Sequence, residues 1–276
     1  MNSDANIAAP KFGPGGNSES FYAEGKKSTV EAPAWVGARG LDAYEFQGGN
    51  GIRGTDATFA KIGDEARRAG ILMSLHTPYY ISLSGVDPEK RLKSVDYIMQ
   101  SLHAAELLGA DTIVIHSGSA SKITRDEAMD LARDTLAHVM EAVGDTSIRL
   151  GLETMGKKNQ LGTLDEVIEL CRVDPHFYPV VDFGHLNARD CGGVFPDKDA
   201  YLRVFYRIGE ALGDKYAHRI YLGWGEKAPH VFGHSLRPGF LSARRGDSGR
   251  KARSADNMRI GGDDGGGRCG DEGDVH

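Results

Sequence analysis

Five short apolar runs, LDAYEFQ (41–47), ILMSLH (71–76), TIVIH (112–116), IRLGLE (148–153) and YPVVDF (178–183), alternate along this chain with segments whose apolar residues return at helical spacing. Two strands separated by a helix cannot pair through a tight hairpin, so consecutive strands run parallel and the helix crosses over between them. The fold class is therefore α/β with a parallel sheet, either doubly wound and open or closed as an eight-unit barrel. The helices carry their own punctuation. SVDYIMQSLHAAELLGA puts Val95, Ile98, Leu102, Ala105 and Leu108 on one face ahead of a stop at Gly109. TLDEVIELC opens with Thr163 as N-cap and Glu166 at the position of a capping box.

Polar residues at the strand ends choose between the two architectures. SLH ends at His76, VIH at His116, GLE at Glu153 and VVD at Asp182, so four successive strands each end in a residue able to ligate a metal. In a (β/α)8 barrel the C-terminal ends of all strands converge on one face, whereas in an open sheet they are spread along a line. The ring of His, His, Glu and Asp favours the (β/α)8 TIM barrel. VVDFGHLNA adds His185 in the turn after Asp182, and a metal compensates an acid and an imidazole that a buried strand end would otherwise reject. Each residue alone has a plainer reading. A lone strand-end His is a hydrogen-bonded side chain, Asp182 an N-cap, and Glu153 half of an ion pair with Arg149 or Lys157. Their joint occurrence outweighs those readings. His103, His138 and His176 read as solvated, and Cys171 as a small core residue.

Composition narrows the classes further. A formal charge of −6 argues against a chain that binds polyanions over its whole surface, so any nucleic acid must be gripped locally. Cys171, Cys191 and Cys269 have no CxxC spacing and leave one over, which suits a reducing compartment better than a disulfide framework. The N-terminal stretch lacks a charged-then-apolar signal pattern, and no run reaches the roughly 18–20 apolar residues of a membrane span. The expectation is a cytoplasmic protein without membrane contact.

The same strand ends carry a resemblance. SLHTPYYISLSG is similar to the His-x-Pro-Tyr strand end of the endonuclease IV family, the metal-dependent apurinic endonucleases within the xylose-isomerase-like barrel superfamily. VIHSGS resembles that family's His-x-Gly exit, GLETMGKKNQLGT its Glu segment, and VVDFGHLNA its Asp-x-x-His segment, all in the family's order between about residues 10 and 220. The resemblance implies a zinc cluster of up to three ions that cleaves the phosphodiester 5′ of abasic sites in DNA. It implies His76 and His116 as ligands of one metal, Glu153 as the catalytic carboxylate bridging two, Asp182 as a ligand of the second and His185 of the third. Tyr79 matches the family's tyrosine beside the opened abasic site. Lys157, Lys158, Lys122 and Arg125, in loops after strands, are the expected phosphate contacts, and the chain is expected to act as a monomer.

Departures from the family are confined to the C-terminal part. The seventh unit reads KYAHRIYLGWGEKAPHVFGHS, where His218 and His230 are the candidate further ligands. Residues 241–276 are rich in Gly, Arg and Asp without apolar periodicity, a composition that cannot bury a face. No eighth strand is evident. We therefore expect a barrel over 1–227 with an aberrant or incomplete last unit, open between its first and seventh strands, and a low-complexity tail over 228–276. With permitted codons shifted by one nucleotide, NMRIGGDDGGGRCGDEGDVH reads TCESEGTMAEDAAAMKAMY, which resembles the missing family segment and points to a frameshift around residues 218–236. Two alternatives stay open: a sugar isomerase or epimerase of the same superfamily, using a similar ring around one metal, and a degenerate, non-catalytic barrel.

Overall fold

Side chains of a β-strand alternate between its two faces, and in this chain that parity separates core from site. The computed structural model describes residues 11–216 together with the backbone of 219–222 and 231–234. Its repeating units are β2 (Ala43–Gln47) with α3 (Asp56–Ala69), β3 (Leu72–His76) with α4 (Pro88–Leu108), β4 (Ala110–His116) with α5 (Arg125–Val143), and β5 (Arg149–Glu153) with α6 (Leu164–Cys171). β6 (Phe177–Asp182) leads into α7 (Phe183–Arg189) and α8 (Lys198–Leu212), then β7 (Arg219–Leu222). Ahead of them lie β1 (Lys11–Pro14), α1 (Glu19–Ala23) and α2 (Ala32–Gly37), and after them β8 (Val231–His234).

Met73 and Leu75 of β3, Ile113 and Ile115 of β4, Leu150 and Leu152 of β5 and Phe177 of β6 face the helices and are buried in the main core with Ile98, Leu102 and Leu108 of α4. Each such side chain contributes on the order of 1.5–3 kcal/mol of burial free energy. The opposite parity faces the barrel axis. There Ala43, Val114 and Val180, from the alternate strands β2, β4 and β6, form a small buried layer of the kind that fills such barrels. Two residues further on, the same parity delivers the strand-end polar residues.

The helices start and stop where local chemistry dictates. Thr163 accepts from Glu166 N while the Glu166 carboxylate accepts from Thr163 N, so the capping box predicted for α6 is present. α4 opens at Pro88, earlier than the apolar face alone indicates, because Asp87 accepts from the backbone of Glu89 and Lys90. It closes at Gly109, whose φ of 66° is left-handed. Among the described residues no helix is long and apolar enough to cross a membrane. Cys171 is a buried free thiol at the end of α6, as expected of a small core residue.

Strands β2 to β7 pair in parallel in chain order, and the sheet continues β7-β8-β1. The aberrant last unit expected from the sequence is present, with a short β8 lying across the gap. β8 pairs with both β7 and β1, antiparallel to each, so neither the first nor the seventh strand has a bare edge along this stretch. The last unit is aberrant in direction: a helix before β8 would return it parallel, and the chain between β7 and β8 spans too few residues for a crossover. On the other side β1 meets β2 through Asp42 N donating to Phe12 O at 2.8 Å and Gly16 N donating to Glu45 O at 2.9 Å. The contact leaves no room at Gly13, where a Cβ would stand 1.6 Å from Ala43 O. Gly13→Ala is therefore expected to lower the urea midpoint, at a cost of about 1–3 kcal/mol; an unchanged midpoint would mean that β1 does not close on β2 in solution.

Candidate metal centre

The stagger of the strands sets the heights of their last residues. Gln47 lies beside His76 and His116 beside Glu153, but His76 is level with Val114 and Glu153 with Val180. The sheet thus steps by two residues from β3 to β4 and again from β5 to β6, the offset a closed barrel requires. Hydroxyls and amides beyond the strands hold these ends together. Ser117 Oγ donates to Glu153 O at 2.8 Å, Thr77 N to Val114 O at 2.9 Å, and Asp182 N to Thr154 Oγ1 at 2.8 Å.

Glu153 stands at the centre, 4% exposed. Its Oε2 lies 3.4 Å from His76 Nε2 and 3.3 Å from His116 Nε2, while Oε1 lies 3.6 Å from His185 Nδ1. The ligand atoms of His76, His116 and Glu153 lie within 4.8 Å of one another, and those of Glu153, Asp182 and His185 form a second such group. Asp182 is also the N-cap of α7, its Oδ1 accepting from His185 N at 2.8 Å, so the plainer reading of this residue holds alongside the other. His76 Nδ1 lies 2.9 Å from Thr77 O and His185 Nδ1 2.8 Å from Thr154 O. A proton on Nδ1 leaves Nε2 of His76, the nitrogen that faces Glu153, with its lone pair, whereas in His185 it is Nδ1 itself that also faces Glu153 and Asp182.

These residues fit a divalent cation. Glu153 Oε2 is buried without a hydrogen-bond partner although two imidazoles face it, and an acceptor left so is costly unless something positive sits among the three groups. Imidazole nitrogen with carboxylate oxygen is a donor set that suits zinc and related metals. The electrostatics lean the same way. Burial alone would raise the Glu153 carboxyl, but the facing His116 and His76 rings reverse this and hold it well below the usual carboxylate range. Burial would lower His76, and Glu153 opposite it, with Glu45 adding, pushes it up to about 9 instead.

Tyr79 overhangs this group. Its ring stacks on His116 at 5.3 Å between centroids and meets His76 edge-on at 5.2 Å, yet it remains half exposed. It lies against Gly49, and beside it a cavity of about 190 Å³ is lined by Gln47, Asn50 and Arg53. Lys157, Lys158 and Lys122 are exposed. Arg125 is not available as expected for a phosphate: its guanidinium is engaged by Glu166 at 2.7 Å and by the carbonyls of Lys158 and Gln160. Arg149 pairs with Asp111 rather than Glu153. His103, His138 and His176 pair with nearby carboxylates away from the ring. His218 and His230 lie outside the described residues.

Sequence reading missed Glu45, buried on the inner parity of β2 and accepting from Ser74 Oγ at 2.9 Å. Its signal is present in AYEFQ, because Glu45 and Gln47 share the parity of Ala43; a search confined to the last residue of each strand passes over it.

The sequence pattern of xylose isomerase-like TIM barrels matches residues 33–234. A probable endonuclease 4 of Acholeplasma laidlawii is 31% identical over 135 residues, covering 48% of this chain and 46% of that protein. An uncharacterised protein of Methanocaldococcus jannaschii is 26% identical over 145 residues, 52% of each. The chain thus spans about half the length of these curated relatives. Among solved structures, endonuclease IV from Thermus thermophilus superposes with a TM-score of 0.55 at 21% identity, covering 75% of this chain and 76% of that one. A 3-keto-D-glucoside 4-epimerase from E. coli superposes with a TM-score of 0.57 at 16% identity, covering 73% and 76%. The resemblance to endonuclease IV drawn from the strand-end motifs recurs in these matches, and the epimerase shares the fold.

Substitutions separate the two ligand groups. His116→Ala is expected to lower the metal bound per chain by removing the first group alone, His185→Ala by removing the second, and Glu153→Gln to weaken both by at least ~10-fold. Elemental analysis of the purified variants, with circular dichroism to confirm the fold, reads this directly. Metal content unchanged in Glu153→Gln would take Glu153 out of the centre.

Proposed function

Because the chain belongs to the xylose isomerase-like TIM barrel family, we propose that it is a metal-dependent, endonuclease IV-like hydrolase that cuts the phosphodiester 5′ of abasic sites in DNA, with zinc as its metal. The observation that carries this reading is one buried carboxylate, Glu153, shared by two ligand groups. Cations bound by two groups that share one carboxylate would supply Lewis acidity to a phosphodiester. A chemistry at a single carbonyl needs only one.

In this reading His76, His116, Glu153, Asp182 and His185 hold the metals, which when bound supply Lewis acidity at the scissile phosphate. Glu153, common to both groups, would offset the charge of bound cations. Tyr79, half exposed above His116, offers a face on which a base or an opened sugar can rest. Lys157 and Lys158 grip phosphates locally, which reconciles the net charge of −6 with a nucleic-acid substrate. The named relatives support this choice over the wider superfamily. The epimerase reading rests on solved structures of that activity with the same fold.

The wild-type chain, with its aberrant last unit, is expected to nick a duplex carrying one abasic site only slowly, to lose that activity in a chelator and to regain it with Zn2+. Glu153→Gln is expected to lower the rate by ~10²-fold or more. Turnover of a ketose without nicking would replace this reading with the epimerase one. Lys157→Ala is expected to weaken binding of all duplexes alike and to reduce the slope of log affinity against log salt by ~1. An unchanged slope would remove Lys157 from the interface.

A further inference from the structure

The loop 154–162 joins β5 to the N-cap of α6. It begins directly after Glu153 and exposes Lys157 and Lys158. Four of its backbone carbonyls, those of Met155, Lys157, Lys158 and Gln160, are taken by two guanidinium groups. Arg189 Nη1 donates to Met155 O at 3.1 Å, Lys157 O at 2.7 Å and Gln160 O at 3.2 Å, and its Nη2 donates to Lys158 O at 3.2 Å. Arg125, from the start of α5, donates to Lys158 O at 2.8 Å and Gln160 O at 3.1 Å while Glu166 holds its fork.

Arg189 is the unusual member of this pair. It is 9% exposed, and among the described residues it forms no ion pair, so a buried cation is satisfied by backbone carbonyls of a single loop. Burying a guanidinium is costly unless its donors are matched, and its planar fork can match several fixed acceptors where an ammonium cannot. Arg189 also ends α7 one helical turn after His185, on the same face of the helix. The loop touches His185 as well: Thr154 O lies 2.8 Å from His185 Nδ1, and a Cβ on Gly156 would meet the His185 ring at 3.3 Å. The loop therefore grips α7 at two points a turn apart. His76, oriented by Thr77 O, does not depend on it.

We propose that Arg189 is a positioning residue for the metal centre: by gathering the carbonyls of loop 154–162 it fixes His185 against Glu153 and Asp182 and keeps Lys157 and Lys158 turned outward. This rests on the metal-centre reading above, and the consequence is selective. Loss of the guanidinium should loosen the loop and the Glu153–Asp182–His185 group and leave the His76–His116 side in place.

The test uses the full chain with Co2+ as a spectroscopic probe, alongside amide hydrogen exchange. Arg189→Met and the conservative Arg189→Lys are each placed in the His116→Ala background, where the His185 group remains, and in the His185→Ala background, where the His76–His116 group remains. The expected result is a Co2+ affinity at least ~10-fold weaker for Arg189→Met in the first background and unchanged in the second. Exchange should be faster across 154–162 while the β3 and β4 amides keep their protection, and Arg189→Lys should recover part of both effects. Equal losses in the two backgrounds, with faster exchange everywhere, would show a merely structural residue and overturn the proposal, as would unchanged exchange in 154–162. If Arg189→Met does not fold, Arg189→Lys decides alone: wild-type affinity and protection in that variant overturn the clamp. A wild-type chain that nicks no abasic DNA sinks the proposed substrate but not this clamp. One that binds no Co2+ sinks the metal role, and the exchange of 154–162 still decides whether Arg189 holds the loop.

Discussion

A single buried carboxylate with imidazoles on two sides is the constraint around which the upper face of this barrel is arranged. Glu153 is withdrawn from water, and its Oε2 has no hydrogen bond, with His76 and His116 facing it at 3.4 and 3.3 Å. Such a charge is tolerated only where positive partners are held in place. The strand register brings them level, the hydroxyls of Ser117 and Thr154 tie neighbouring strand ends, and α7 delivers His185 from the far side.

Rigidity here comes from backbone amides and side-chain hydroxyls just beyond the last pleat of these strands. Thr77, Ser117 and Thr154 prolong the ladder by one residue, so His76, His116, Glu153 and Asp182 are not loop residues free to wander. Preorganised donors lose little on meeting a metal or a phosphate, because the ordering is already done in the folded chain. The two arginines under loop 154–162 extend the same device to the β5–α6 connection, with backbone carbonyls as the acceptors in place of carboxylates.

The closure of the barrel follows a different logic. Backbone pairing does not require a particular direction, only unpaired amides and carbonyls on two facing edges. β8 supplies them in the antiparallel sense, between a parallel β7 and a β1 that meets β2 through only a few hydrogen bonds. The usual eight-unit arrangement is thus met in strand number and broken in strand direction. Gly13, with Ala43 O where a Cβ would be, marks how tightly the last gap is drawn.

Period and parity are local, and what depends on them was legible in the chain. The alternation of apolar runs with helices, the capping box at Thr163 and Glu166, the stop at Gly109 and the ligand-type residues at four strand ends follow from spacing alone. Glu45 was legible too, had the inner parity of its strand been followed below the rim. What the tertiary structure alone decided are the relations between residues far apart in sequence. No local pattern tells that Val231–His234 returns antiparallel to pair with β1, since edge pairing is satisfied in either direction. Nor does it tell that Arg125 turns inward to Glu166, 41 positions away, while Lys157 and Lys158 stay in solvent. A charged side chain reads the same in sequence whether it meets water or a ring of carbonyls, and only the packed chain brings those carbonyls to Arg189.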